Sequence, residues 1–215
     1  LLRTEPHEPT ANHLRSVVEG PVLLYIGPIE PSRRIDRLIE AFNILVTHHR
    51  PDAQLIVAST GGSASYSRVL LRQLLELNLS NAWLLEAADD GQVVALLERA
   101  VLLVTLADAD DGDDAEGEAD AGTLLSVAFA YGIPAVARGV GALSTLASGA
   151  ALLLDPDDGI EVAAEAFLEV LTNGRLRAEL VERGRRRAVE LDLPLAPPRR
   201  VEPVTTAPAP VQAAT

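Results

Sequence analysis

Residues 119–158 read ADAGTLLSVAFAYGIPAVARGVGALSTLASGAALLLDPDD, and they alternate two kinds of apolar segment. GTLLSVAFAYG (122–132) opens on a glycine and is long enough for a helix. IPAVARG (133–139) and AALLLDP (150–156) are short, continuously apolar and bounded by Gly, Pro or Asp, which is the pattern of strands buried on both faces. LSTLASG (143–149) between them has room for a short helix. Almost none of the side chains here could hold an anion or a hydroxyl group, so the stretch reads as scaffold.

The same alternation runs upstream. PVLLYIG (21–27) is a first strand, and RRIDRLIEAFNILVTHHR (33–50) places Ile35, Leu38, Ile39, Phe42 and Leu45 at helical spacing, with Pro51 ending the helix. AQLIVAST (53–60) is a second strand, GGSASYS (61–67) a glycine- and serine-rich loop, and SRVLLRQLLELNL (67–79) a helix. AWLLEA (82–87) is a third strand, DDGQVVALLERA (89–100) a helix capped by Asp89 or Asp90, and VLLVTLA (101–107) a fourth strand. Six short strands alternating with helices predict an α/β fold, a doubly wound, Rossmann-like parallel sheet with right-handed crossovers. Two helices, 160–174 and 175–192, close it around Asn173-Gly174. The expected organisation is a linker at 1–20, one domain at 21–192 with an acidic loop at 108–121, and a disordered tail rich in Pro and Ala at 193–215.

Composition narrows the chemistry. The 215 residues contain no cysteine, which excludes disulfides, thiolate nucleophiles and cysteine zinc sites. Every basic residue is arginine, so lysine Schiff-base or Walker-type chemistry is excluded too. A net charge of −13 disfavours nucleic acid and anionic membranes, although eight carboxylates crowd between Asp108 and Asp120. With no apolar run of roughly 18 residues and no signal-peptide pattern, no membrane span is expected and the cytoplasm is the default location. The lack of any methionine suggests a piece of a longer polypeptide. His48 and His49 sit where a helix C-terminus favours cations, and His7 and His13 have no metal-ligand spacing.

Ligands of an open parallel sheet bind beyond the carboxyl ends of its strands. Here that edge is formed by Gly27–Arg34, Ser59–Ser65, Glu86–Gly91 and the acidic loop running into Gly122. The N–H groups of Thr123 and Leu124 at a helix start could cradle a diphosphate beside Gly122, or Gly122 could serve the turn alone. Arg33 and Arg34 could clamp the same anion, or be plain surface residues. Trp83 is core or a wall beside a base. Gly-X-Ser-X-Gly, Walker and Gly-X-Gly-X-X-Gly sequences are absent, leaving hydrolase, kinase and dinucleotide-oxidoreductase readings without support.

From about Pro21 to Asp192 the chain resembles the carboxy-terminal, nucleotide-sugar-binding domain of the group 1 glycosyltransferases, retaining enzymes of the GT-B fold. VLLYIGPIEPSRRIDRLIEAFNIL is similar to the family's opening strand and helix, RPDAQLIVAS to its second strand, AYGIPAVARGVGALSTLASGAALLLDPDD to its run from Cys-Gly-Val-Pro to Asp-Pro-Asp-Asp, and ELVERGRRRAVE to its closing helix. On this reading Gly27, Arg33, Arg34, Gly122, Thr123 and Leu124 surround the donor diphosphate, and Glu86, Glu118 and Asp120 lie near the base or sugar. The implied ligand is a nucleoside diphosphate sugar, with no metal and no cofactor.

The departures from the family fall on charged positions. The family arginine falls on Pro28 and its lysine on Arg33. Its paired glutamates, for sugar and ribose, fall on Ala119 and Val127, and a further glutamate on Thr145. Glu118 or Asp120 could replace the first if the loop shifts. The resemblance also implies an amino-terminal acceptor domain, or a partner chain supplying one, for which this chain has no room. Two alternatives stand beside a donor domain: a degenerate binding or assembly module, and a metal-dependent transferase through Asp108 and Asp110. The density of like charge there favours a solvated, mobile loop.

Overall fold

The computed structural model describes residues 20–107, 115–139 and 141–197, excepting the side chains of 115–120. The described chain runs β1 (Val22–Ile29), α1 (Ile35–His48), β2 (Gln54–Gly62), α2 (Ala64–Glu76), β3 (Ala82–Leu85), α3 (Asp90–Arg99), β4 (Ala100–Thr105), α4 (Ala115–Tyr131), β5 (Ala135–Arg138), α5 (Leu143–Ala147), β6 (Leu152–Leu154), α6 (Ile160–Thr172) and α7 (Gly174–Glu190). A 3-10 turn, Pro31–Arg33, precedes α1.

All six strands pair in parallel in the order β3-β2-β1-β4-β5-β6. From β1 the chain steps outward to β2 and β3, then returns to β4 on the other side of β1 and steps outward again. Right-handed crossovers therefore put α1 and α2 on one face and α4 and α5 on the other. The packing agrees: α1 lies against α2 and α6, and α4 lies against α5 and α7. The strand order reverses between β1 and β4, which makes their carboxyl ends the place for a ligand.

The core is aliphatic, as a chain with so few aromatics requires. Its three phenylalanines, Phe42, Phe129 and Phe167, are all fully buried, one each on α1, α4 and α6. The α1 residues expected to face inward, Ile35, Leu38, Ile39, Phe42 and Leu45, do so, joined by Ala41. Each large side chain buried in this way contributes roughly 1.5–3 kcal/mol. Trp83 is half-buried on the edge strand and packs against the core.

Local chemistry sets the helix ends. Asp89, rather than Asp90, caps α3: its carboxylate accepts from the Gln92 N–H while the Gln92 side chain accepts from the Asp89 N–H. Asn173 caps α7 by accepting from the Leu176 N–H at 3.0 Å. Two helices begin earlier than the sequence suggests. Ser63 accepts from the Tyr66 N–H, so ASYS is the first turn of α2 and not a loop. Helix α4 starts at Ala115, almost two turns ahead of Gly122.

Beyond α7 the chain still follows the body. The Leu193 N–H donates to the Ala188 carbonyl at 2.9 Å and the Ala196 N–H to the Ala130 carbonyl at 3.0 Å. The linker at 1–19 and the tail beyond Pro197 lie outside the described residues. Among the described residues no helix is long and apolar enough to cross a membrane.

Candidate functional site

At the end of β1 the backbone is crowded. The Tyr25 hydroxyl curls over to donate to the Pro28 carbonyl at 2.9 Å, and a Cβ at Gly27 would lie 2.8 Å from that hydroxyl oxygen. A side chain at Gly27 would displace the Tyr25 hydroxyl from this position. One strand over, Gly62 sits so close to Ile29 that a Cβ would meet its backbone carbonyl oxygen at 2.5 Å. These glycines let β1 and β2 run together to their carboxyl ends, where Ser59 donates to the Gly61 carbonyl at 2.8 Å and closes the β2 loop.

The 3-10 turn then delivers two arginines to different surroundings. The Arg33 side chain is only 4% exposed, with Nη2 4.0 Å from Glu30 Oε2. Arg34 takes a left-handed backbone conformation, φ 48° and ψ 41°, and directs its guanidinium onto Asp36, with Nε and Nη2 each 3.3 Å from a carboxylate oxygen. Tyr66, from α2, donates to the same carboxylate at 2.8 Å. Burial raises the Asp36 pKa, but the hydrogen bonds from Arg34 and Tyr66 outweigh it and hold the carboxyl below its ordinary value. Burial and the Asp36 charge push the Tyr66 phenol well above its ordinary value, which keeps it a donor.

The remaining strand ends are more open or less charged. Glu86 is exposed at the end of the edge strand β3, two strand spacings or about 10 Å from β1. Residues 108–114 after β4, Asp108 and Asp110 among them, lie outside the described residues. Among the described residues no group of three or more His, Asp or Glu could hold a metal ion. Glu118 and Asp120 fall in the first turns of α4, and their side chains lie outside the described residues.

The cradle expected at Gly122, Thr123 and Leu124 is displaced. These residues lie inside α4, where backbone N–H groups serve the helix, so they are not the unpaired donors of a helix start. A Cβ at Gly122 would touch Leu146 of α5 at 3.3 Å, which makes this glycine a packing residue between the two helices. Leu124 is buried in the core and Thr123 faces outward. Val127, at a family glutamate position, is half-buried against the core, and Thr145, at another, is exposed on α5.

Arg138 is a further buried cation that no motif in the sequence marks. This residue ends β5, is 3% exposed, and donates from Nη2 to the Asp158 carbonyl at 3.2 Å, within the turn where Asp158 Oδ2 accepts from the Asp155 N–H. Its signal was a lone cation in the buried run AVAR, just before a glycine. Arg33 and Arg138 together place two buried guanidinium groups at the ends of β1 and β5, with β4 between them.

Comparison with known proteins follows the same lines. The family model of the glycosyl transferases group 1 matches residues 8–187. No curated protein matches the sequence. Among solved structures the chain is similar to the C-terminal domain of the glycosyl transferase group 1 family protein LpcC from Francisella tularensis. That match has a TM-score of 0.68 at 13% identity and covers 88% of this chain and 94% of the other. It is also similar to WaaG, a glycosyltransferase involved in lipopolysaccharide biosynthesis (TM-score 0.68, 21% identity, 88% of this chain and 49% of the other). Anabaena HepE, solved in complex with UDP-glucose, matches with a TM-score of 0.67 at 17% identity, over 87% of this chain and 49% of the other. The chain therefore spans about half the length of WaaG and HepE and nearly all of the LpcC domain.

Proposed function

The chain belongs to the group 1 glycosyl transferases and has the fold of their C-terminal domain, and from that footing we propose that it is the donor-binding domain of a retaining glycosyltransferase. It takes a nucleoside diphosphate sugar across the carboxyl ends of β1 and β4, and an amino-terminal domain or partner chain supplies the acceptor. The observation that carries this reading is the buried guanidinium of Arg33 at the end of β1, beside the point where the strand order reverses. A cation held in a desolvated place meets a diphosphate with a stronger, better-oriented hydrogen bond than one in water. Arg138 offers a second cation across β4. The pair would stabilise the departing diphosphate as negative charge develops on it, which is the domain's contribution to transfer.

The site works without the family's ribose carboxylate, since Val127 stands there. A ribose hydroxyl left without its partner costs roughly 1–3 kcal/mol, so binding is weakened and not abolished. With Gly122, Thr123 and Leu124 committed to helix and packing, the diphosphate depends on arginine more than on a backbone cradle.

Titration calorimetry with UDP, GDP and ADP and their glucose or mannose conjugates tests the proposal. Saturable heat with one base, weakened about 10- to 100-fold by Arg33→Ala and less by Arg33→Lys, is the expected result. A folded chain that releases no heat with any nucleotide up to millimolar concentration would overturn it and favour an assembly module.

A further inference from the structure

Arg34 occupies a backbone conformation that suits glycine. An L-residue in the left-handed region is strained by its Cβ, and this one sits where the 3-10 turn ends and α1 begins. Its N–H donates to the Pro31 carbonyl at 3.1 Å and its own carbonyl accepts from the Leu38 N–H at 3.1 Å, so the turn is tied at both ends. The side chain adds a third tie through the fork onto Asp36. Asp36 is itself held from α2: Tyr66 donates to its carboxylate at 2.8 Å and accepts from its N–H at 3.2 Å, and Gln73 Nε2 donates to its carbonyl at 3.0 Å. The side chains of Arg34, Tyr66 and Gln73 thus converge on Asp36, three residues beyond Arg33.

We propose that Asp36, steadied by Tyr66, is a positioning residue for the diphosphate site. By gripping Arg34 it holds the left-handed turn that carries Arg33 to the carboxyl end of β1. The function assigned to the turn rests on the donor-binding reading. The mechanical part does not, because it follows from the backbone angles and the hydrogen bonds alone. A glycine at 34 would hold the turn unaided, and Asp36 would then lose its influence on Arg33. This dependence separates positioning from a general contribution to stability, which would persist in either background.

The experiment is a double-mutant cycle on the full chain, comparing Asp36→Ala in the native and Arg34→Gly backgrounds, with Tyr66→Phe as a milder companion. Affinity for whichever of UDP, GDP and ADP binds the native chain is read by calorimetry, and amide hydrogen exchange over residues 33–38 is read without ligand. Asp36→Ala is expected to weaken that nucleotide's binding about 10-fold and to speed exchange in this segment by a similar factor. In the Arg34→Gly background both effects shrink to within about 2-fold. Equal effects in both backgrounds, or none in either, overturn the proposal. If the native chain binds none of UDP, GDP and ADP, the donor reading fails on that ground, and the exchange data still decide whether Asp36 holds the turn.

Discussion

Arg50 and Asp52 face each other in the turn from α1 into β2, joined by hydrogen bonds of 2.8 and 2.7 Å. The arginine is buried and the aspartate is open to water on one side, with side chains 3% and 42% exposed. Both nitrogens of the fork are used, so the pair sets the direction in which the chain enters the central sheet. The Arg50 hydrogen bonds hold Asp52 below its ordinary pKa despite partial burial, and the Arg50 charge adds to this.

A pH dependence follows from that pairing. Because the folded-state pKa lies under the ordinary 3.8, the stabilisation is complete above that value and is lost as the pH falls through the folded pKa. Asp52→Asn should lower stability at pH 7 by about 1–2 kcal/mol, the exposure of the carboxylate keeping the figure small. Urea titrations at pH 7 and near pH 3 check this: the gap between variant and native chain narrows at the lower pH. A gap unchanged by pH would show that charge is not its source.

The two glycines Gly62 and Gly149 separate backbone strain from steric exclusion. Both have positive φ, 117° and 78°, but a Cβ at Gly149 meets nothing within 4 Å, whereas at Gly62 it runs into the Ile29 backbone. Gly149→Ala should cost about 1–2 kcal/mol, the price of the conformation alone. Gly62→Ala should cost more, because β1 and β2 must move apart. Thermal unfolding of the two variants, compared with the native chain, reads the difference. Equal losses would mean that the contact at Ile29 relaxes freely.

Gly122 distinguishes packing from ligand approach. On α4 an added methyl meets the tip of the half-buried Leu146 at 3.3 Å and touches the buried Leu143 at 3.9 Å, both side-chain ends, and alanine favours a helix by about 0.8–1.0 kcal/mol over glycine. Gly122→Ala should therefore leave melting within a few degrees of the native chain and UDP affinity within about 2-fold. A selective loss of UDP binding in this variant would return Gly122 to the ligand site.

The fold was legible because its signal is repeated. Six apolar strands and the face of α1 are set by side chains that must leave water, and VLLYIG or LIVAS cannot do that in many ways. Helix starts were harder to place. Ser63 looks like a loop residue until its hydroxyl is seen to accept from Tyr66, and the early turns of α4 run through carboxylates that show no amphipathic pattern. Among the candidate residues, a place in the fold was legible where it follows from chain order, as for Arg33 beyond the end of β1. Whether a guanidinium is buried, as at Arg138 with its partner twenty residues on, depends on contacts distant in sequence, and the grip of Arg34 on Asp36, though local, depends on the left-handed turn between them. The Asp36–Tyr66 bond spans two helices, and no spacing rule announces it.

The most direct measurement is a crystal structure of the chain soaked in turn with UDP-, GDP- and ADP-glucose. The expected result is the diphosphate across the carboxyl ends of β1 and β4, with a guanidinium nitrogen of Arg33 within about 3 Å of a phosphate oxygen. Nucleotide bound elsewhere on the surface, or a well-ordered domain with no nucleotide at millimolar concentration, would contradict it.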